Sequence, residues 1–171
     1  MRAPLLLLAA LLAGCSGTPA RYTVGDAYSM GGVWSYPRED FSLVETGLAT
    51  RHAGPGWGER TANGEAWSDG RALGAHRTLQ LPAVVTVTNL ENGRSLTLRV
   101  NERGPVRRGR VIGLSARAAS LLGVPEGGTA QVRVTVDGDR SRALADAVPG
   151  RQVPVVAIET APRAAVASES L

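Results

Sequence analysis

The Asn-Gly pair at Asn92-Gly93 is the feature that most constrains how this chain can fold. Apolar residues alternate with polar residues on both sides of the pair, at Val85, Val87 and Leu90 before it and at Leu96, Leu98 and Val100 after it. Successive side chains of a strand point to opposite faces, so this alternation indicates strands with one buried face. Asn-Gly is also the dipeptide most favoured in tight hairpin turns. The pattern therefore predicts a β-hairpin.

Further short elements follow the hairpin in the sequence. The pattern predicts a strand over Gly109–Leu114, a helix over Ala116–Leu122 between the caps Ser115 and Gly123, and a last strand through Val132, Val134 and Val136. Several short strands, one short helix and glycine-rich turns favour a small closed or nearly closed β-barrel.

The chain divides into four parts by composition. We predict a signal peptide over residues 1–14, a lipid-anchored tether and irregular lead-in over 15–43, a barrel domain over 44–137 and a mostly disordered tail over 138–171. The tail is assigned on its lack of clear periodicity.

The only cysteine, Cys15, directly follows the first part. An apolar run over Leu5–Leu12 is too short to span a bilayer and has the length of a signal-peptide core. Leu12-Ala13-Gly14-Cys15 matches the bacterial lipobox, in which the cysteine is acylated and the chain is cut just before it. We therefore expect a lipid-anchored protein of the bacterial envelope that faces the periplasm. Ser16 after the cysteine favours the outer membrane.

Charge and composition limit the partners. All 19 basic residues are arginine; without Arg2 of the signal peptide, 18 remain against 15 acidic residues, a formal charge of +3. This balance suits an anionic envelope polymer or a membrane surface, and export argues against a nucleic-acid partner. With Cys15 acylated and only two histidines, we expect no metal site and no cofactor.

Polar residues interrupt the strand pattern in three segments. These are Thr61–Glu65, Gly74–Leu79 and Val100–Pro105. Each lies at the edge of a predicted strand, where a barrel can bring side chains from distant sequence into one cleft. Two carboxylates and an imidazole converging there would suit acid–base chemistry on a glycosidic bond.

The same segments resemble the rare lipoprotein A family, the septal-ring lytic transglycosylases of bacteria. The resemblance covers about residues 22–136 and is carried by Tyr22–Gly25, Tyr36–Asp40, Thr61–Glu65, Ala75–Leu79, Val87–Ser95, Arg99–Pro105 and Arg110–Ala119. It implies a mainly β fold, a small six-stranded double-psi β-barrel with one or two short helices. It also implies endolytic cleavage of peptidoglycan glycan strands, preferably those stripped of stem peptides, to anhydro-MurNAc ends during cell-wall remodelling and division.

The resemblance also implies the site residues. The catalytic candidates fall on Glu65, His76 and Glu102. We favour Glu102 as the group that donates a proton and then takes one back, with Glu65 and His76 orienting or tuning it, although the sequence does not rank the two carboxyl groups.

Four further residues are candidates for binding the glycan. Asn63 belongs to the Asn-Gly-Glu motif, and the planar fork of Arg103 suits carboxylates or substrate oxygens. Trp57 and Trp67 either stack on sugar rings or only cover the core.

The sequence departs from the family pattern in several places. Glu102 and Gly113 stand where aspartate is usual, Ser68 replaces an aspartate beside Asp69, and Arg51-His52 replaces an aromatic pair. Misplacement of a catalytic group by about an ångström can cost on the order of a hundredfold in rate. The altered acids at residues 68, 102 and 113 favour a rival function, a non-enzymatic peptidoglycan-binding lipoprotein of the expansin-like barrel type, whereas the kept Glu65 and His76 oppose it. A second rival is a structural lipoprotein that recruits division proteins through its tail.

Overall fold

The computed structural model describes residues 19–151. The predicted signal peptide, Cys15 and the part of the tail from residue 152 onward lie outside the described residues. The elements in chain order are β1 Tyr28–Met30, β2 Val33–Ser35, β3 Val44–Arg51, β4 Leu73–Ala75, β5 Ala83–Asn89, β6 Ser95–Glu102, β7 Arg110–Leu114, α1 Ala116–Leu122, β8 Thr129–Val136 and α2 Gly138–Ala147.

Six of the strands close into a barrel in the order β3-β7-β4-β6-β5-β8. The pairs β3–β7 and β4–β6 are parallel, and the other four pairs are antiparallel. The predicted six-stranded double-psi β-barrel is therefore confirmed. Closure leaves no free strand edge, which would otherwise be a site of aggregation.

The predicted hairpin is present as the antiparallel pair β5–β6. β5 and β6 pair from Ala83↔Val100 to Thr88↔Ser95, and Gly93 in the connecting loop has a φ of +74°. The side chains of Asn89 and Asn92 donate to the Leu122 carbonyl at 2.9 and 3.0 Å. The hairpin loop thereby also caps the carboxyl end of α1, where backbone carbonyls lack helical partners.

Apolar side chains on alternate positions fill the barrel. On β5 and β8 these are Ala83, Val85, Val87, Ala130, Val132 and Val134, all fully buried. The helix α1 begins with Ser115, whose hydroxyl accepts from the Ala118 N–H, and ends at Gly123 with a φ of +73°. The predicted helix and both of its caps are confirmed. Its buried face packs on the barrel core.

The lead-in is more regular than predicted. Instead of irregular chain, residues 28–35 form a two-stranded antiparallel hairpin, β1–β2. Its turn is Gly31-Gly32, and both residues have positive φ values, of +59° and +71°. Such values suit the tight hairpin turns that glycine favours.

The first part of the predicted disordered tail is also folded. Residues 138–147 form α2, with Asp137 accepting from the Arg140 N–H as its N-cap. The buried Ser141 hydroxyl hydrogen-bonds with the Val84 N–H at 2.9 Å and the Val84 carbonyl at 3.1 Å. The prediction failed here because this helix is stabilised by contacts with β5 and has little apolar periodicity of its own. None of the helices within residues 19–151 is both long and apolar enough to cross a bilayer.

Candidate active site

A compact turn over residues 61–65 forms one wall of the site. The Thr61 N–H donates to the Glu65 carbonyl at 2.9 Å, and the Gly64 N–H donates to the Thr61 carbonyl at 2.7 Å. The Thr61 hydroxyl lies 2.8 Å from Asn63 Oδ1. Gly64 has a φ of +86°, a conformation that glycine adopts without a steric penalty. Because Thr61 and Asn63 are buried, the turn is held as a unit.

Glu102 lies at the end of β6 beneath this turn, with a relative exposure of 8%. Its Oε1 accepts from the Arg103 N–H at 2.6 Å and from the Ala62 N–H at 3.3 Å. No described residue donates to Oε2. Burial raises the pKa of the Glu102 carboxyl above its ordinary value, although the two backbone N–H groups and the Arg103 charge oppose this rise. Glu102 therefore keeps its proton to a higher pH than an exposed glutamate does, and its Oε2 has no hydrogen bond from the described residues.

Glu65 has the opposite environment. Burial alone would raise the pKa of its carboxyl, but hydrogen bonds from Arg99, Asn63 and Asn101 outweigh burial and lower it. The Arg99 Nε lies 3.1 and 3.0 Å from the two carboxylate oxygens, and its Nη2 also contacts Oε1. Asn63 and Asn101 donate at 2.9 and 3.0 Å. Glu65 is thus held as a carboxylate with both oxygens occupied.

The His76 ring points away from Glu102. Its Nδ1 accepts from the backbone N–H groups of Thr78 and Leu79 at 3.2 and 3.1 Å, and its Nε2 lies 2.5 Å from Glu45 Oε1. Because Nδ1 accepts two hydrogen bonds, Nε2 is the ring nitrogen that donates to Glu45. His76 contacts the acid only through its backbone, since its N–H donates to the Glu102 carbonyl at 2.9 Å.

The structure places Arg103 differently from the prediction. Its guanidinium points to backbone carbonyls and not to carboxylates or an open cleft: Nη1 lies 2.5 Å from the Leu79 carbonyl, and Nη2 contacts that of Val24. These bonds tie the lead-in and the loop after β4 to the end of β6. The donors of Arg103 are therefore used within the fold.

The two tryptophans have different surroundings. Trp57 is fully exposed in the glycine-rich loop. Trp67 is half-buried against Gly54 and the His52 ring, with the two ring centroids 5.4 Å apart and their planes at 74°. Trp67 thus covers this part of the fold, whereas Trp57 is free to meet a ligand.

The position of the His52 side chain explains why residue 113 is a glycine. A Cβ added at residue 113 would lie 2.8 Å from His52 Cβ, and one added at Gly104 would lie 3.0 Å from His52 Cε1. Burial lowers the pKa of His52, so its imidazole is neutral at neutral pH. The imidazole thus occupies the space into which a side chain at residue 113 would project.

Asp69, next to Ser68, accepts hydrogen bonds from the amino end of α1. Its Oδ1 accepts from the Ala116 N–H at 3.1 Å, and its carbonyl accepts from the Arg117 N–H at 2.9 Å. A carboxylate at the amino end of a helix is electrostatically favourable. Asp69 therefore stabilises the start of α1.

Sequence reasoning missed three residues of this site. Arg99 and Asn101 clamp Glu65, and Glu45 pairs with His76. Arg99 and Asn101 are the polar positions that alternate with Val100 on β6, so the period-two pattern places them on one face. Glu45 carried no comparable signal. Within residues 19–151, no three His, Cys, Asp or Glu side chains come together as a metal site.

The sequence model of the lytic transglycolase family, a double-psi β-barrel domain, matches residues 49–134 of this chain. That range is half of the 171 residues and includes the 61–65 turn, His76 and Glu102. The chain belongs to the lytic transglycolase family. The match begins within β3, so the β1–β2 hairpin and α2 lie outside the matched range.

Curated relatives agree with the family assignment. The chain is 40% identical over 116 residues to the endolytic peptidoglycan transglycosylase RlpA of Rickettsia bellii, covering 66% of this chain and 51% of that protein. It is 35% identical over 161 residues to RlpA of Vibrio cholerae, covering 77% and 61%. For RlpA of Pseudomonas aeruginosa the identity is 44% over 108 residues, covering 63% and 32%. The chain thus spans between a third and three fifths of the length of these relatives.

Proposed function

We propose that this protein is an endolytic lytic transglycosylase that cleaves the glycan strands of peptidoglycan. The observation that supports it best is the Glu102 carboxyl, which is buried, has a raised pKa and is held through Oε1, with no described residue donating to Oε2. These are the properties that a general acid needs at a glycosidic bond. The names of the curated relatives support the same substrate class.

The arrangement favours a mechanism with one acid–base group. Glu102 donates its proton to the glycosidic oxygen as the bond from that oxygen to the anomeric carbon breaks. The Glu102 carboxylate then takes the proton of the sugar's own 6-hydroxyl while O6 bonds to the anomeric carbon, giving a 1,6-anhydro end. No water is consumed, and Glu102 ends protonated as it began.

The state of Glu65 argues against a two-carboxylate hydrolysis. A retaining or inverting glycosidase needs its second carboxylate free to attack the sugar or to activate water. Both oxygens of Glu65 are bound by Arg99, Asn63 and Asn101 instead. Glu65 therefore contributes a fixed structure beside the acid, and an intramolecular 6-hydroxyl is the nucleophile that fits.

The test uses the full chain purified in mild detergent and glycan strands that lack stem peptides. We expect anhydro-ended fragments by mass spectrometry, and we expect them to vanish in Glu102→Gln. Glu126→Gln is the matched control, since its side chain is 88% exposed and none of the contacts of Glu102 involves it. Strand binding without any anhydro product would support the rival reading, a peptidoglycan-binding module whose activity was lost with the changes at residues 68, 102 and 113.

We further propose that lipid on Cys15 anchors the protein in the cell envelope, with the outer membrane favoured. The support is the Leu12-Ala13-Gly14-Cys15 motif after a short apolar run. Growth with a palmitate analogue should label the chain, and Cys15→Ser should abolish the label and release the protein from membranes. Labelling that survives in Cys15→Ser would contradict the anchor.

Recruitment of division proteins through the tail is the other function to be tested. Because α2 docks on β5, a truncation that tests it should remove residues 152–171 and keep residues 138–151. Loss of localisation with intact strand cleavage would support recruitment, and unchanged localisation would contradict it.

A further inference from the structure

The Glu65 carboxylate is the centre of a polar cluster on the outer face of β6. Arg99 and Asn101, two positions apart on that strand, both donate to it, and Asn63 donates from the turn itself. The cluster is half-buried, with side-chain exposures of 27% for Arg99 and 14% for Glu65. Asn101 Oδ1 is buried without a hydrogen-bond partner, which is unfavourable for folding. The arrangement therefore serves to hold this one carboxylate.

The cluster also fixes the turn that contacts the acid. Residues 61 and 65 are joined by the hydrogen bond from the Thr61 N–H to the Glu65 carbonyl. Between them lies Ala62, whose N–H donates to Glu102 Oε1 at 3.3 Å. A displacement of Glu65 would therefore move the Ala62 N–H relative to the acid. The turn thus connects the Arg99 guanidinium to the Glu102 carboxyl without direct contact.

We propose that Arg99 is a positioning residue for the acid Glu102, acting through the Glu65 carboxylate and the 61–65 turn. This role of Arg99 rests on the proposed function, because Glu102 acts as an acid only if the protein cleaves glycosidic bonds. Arginine is required for its geometry, since its planar fork places two N–H groups on one carboxylate. Lysine at this position would keep the charge but not the two-point contact.

The proposal has a consequence for the protonation of Glu102. The groups that face Glu102 are the Arg103 charge and backbone N–H, the Ala62 N–H and the Tyr28 hydroxyl on β1. The N–H of Ala62 stabilises the carboxylate form of Glu102. Loosening the turn weakens that bond and shifts the titration of Glu102 to higher pH, whereas Arg103 and Tyr28 stay in place.

The experiment follows the side-chain carboxyl carbon of Glu102 by NMR during a pH titration of the full chain labelled with 13C-glutamate. Glu102→Gln assigns the signal. We expect Arg99→Gln and Glu65→Gln each to move the Glu102 titration upward by on the order of half a pH unit or more. Arg99→Lys should give a smaller upward shift. The double variant Arg99→Gln/Glu65→Gln should shift the Glu102 titration little further than either single variant does. Arg133→Gln, an exposed change on β8, should leave the titration unchanged.

An unchanged Glu102 titration in Arg99→Gln and Glu65→Gln would overturn the proposal. If Arg99→Gln fails to fold, Arg99→Lys decides: an upward shift supports the positioning role, and no shift overturns it. The titration does not require cleavage, so it separates this proposal from the proposed function. Cleavage assays on the same variants then show whether the shift lowers kcat more than it raises KM, as expected for a residue that positions the acid.

Discussion

At the scale of single residues, one turn separates two carboxyl groups with opposite environments. The Glu102 carboxyl accepts two backbone N–H groups on one oxygen, and burial raises its pKa. The Glu65 carboxyl accepts an arginine fork and two amides, which lower its pKa despite burial. Opposed shifts in neighbouring acids divide them into a proton donor and a fixed anion.

The pH dependence of cleavage should reflect both groups. Glu102 must be protonated to act, so activity should fall as pH rises through its pKa, which lies above the ordinary 4.5. Glu65 must be ionised to hold the turn, so activity should also fall as pH drops through its lowered pKa, below 4.5. We expect a bell-shaped profile of kcat/KM against pH. Glu65→Gln should remove the acidic limb, and an acidic limb retained in that variant would contradict this assignment.

The raised pKa of Glu102 also predicts how stability depends on pH. A group whose pKa is higher in the folded state stabilises the fold below its unfolded pKa, and this contribution is lost as pH rises through the folded pKa. Glutamine is neutral at every pH. The Tm of Glu102→Gln relative to the wild type should therefore increase from pH 4 to pH 8. A Tm difference between Glu102→Gln and the wild type that does not vary with pH would contradict the prediction.

At the scale of elements, the ends of β3, β4, β6 and β7 meet beside the site. Ala75 on β4 pairs with Glu102 on β6 and with Gly113 on β7. His52, just after β3, packs over Gly113 and under Trp67. The departures from the family pattern at residues 52 and 113 are therefore sterically linked, because the His52 side chain fits only if residue 113 has no side chain.

Restoring a side chain at residue 113 tests this arrangement. Gly113→Asp should lower the free energy of unfolding by about 1–3 kcal/mol, because its Cβ would overlap His52. His52→Gly removes both the Cβ and the ring that a side chain at residue 113 would overlap, so the double variant should lose less than the sum of the two single variants. Urea unfolding measures each value. Gly70→Asp is the control, since a Cβ there meets only Ser68 Oγ at 3.7 Å; additive effects of His52→Gly and Gly113→Asp would refute the coupling.

At the scale of the whole molecule, segments from both ends of the described chain pack on the barrel. The Tyr22 N–H donates to the Pro149 carbonyl at 2.7 Å, and Thr23 pairs with Leu81. The Arg151 guanidinium lies 5.8 Å from the Tyr22 ring centroid and 5.6 Å from that of Phe41. The Arg21 N–H donates to the Asn63 carbonyl, so the start of the described chain also supports the turn beside the acid.

The docking of α2 should contribute measurably to stability. The last residue of β8, Val136, pairs with Val85, so β8 supplies no paired residue for Val84. The Ser141 hydroxyl accepts the hydrogen bond from the Val84 N–H instead. Ser141→Ala leaves that N–H unpaired and should cost about 1–3 kcal/mol of unfolding free energy. Ser120→Ala, at an exposed position of α1, should change it little. Equal stabilities of these two variants in urea would show that α2 does not support the barrel.

Local patterns in the sequence determined much of this structure. The β5–β6 hairpin, the capped helix α1 and the alternating core of β8 follow from side-chain periodicity and glycine chemistry, which act within a few residues. The barrel also brings together the three polar segments at strand ends that the sequence singled out, since the N–H groups of Ala62 and His76 both donate to Glu102.

Tertiary structure alone decided the roles within the site. Only the closed barrel brings Arg99 and Asn101 onto Glu65, turns the His76 ring toward Glu45, and directs the Arg103 guanidinium to backbone carbonyls. The same holds for α2, whose docking depends on a bond to β5 from 57 residues away. The pKa of a carboxyl and the pairing of a side chain depend on neighbours that are distant in sequence, and no local pattern encodes which neighbours those are.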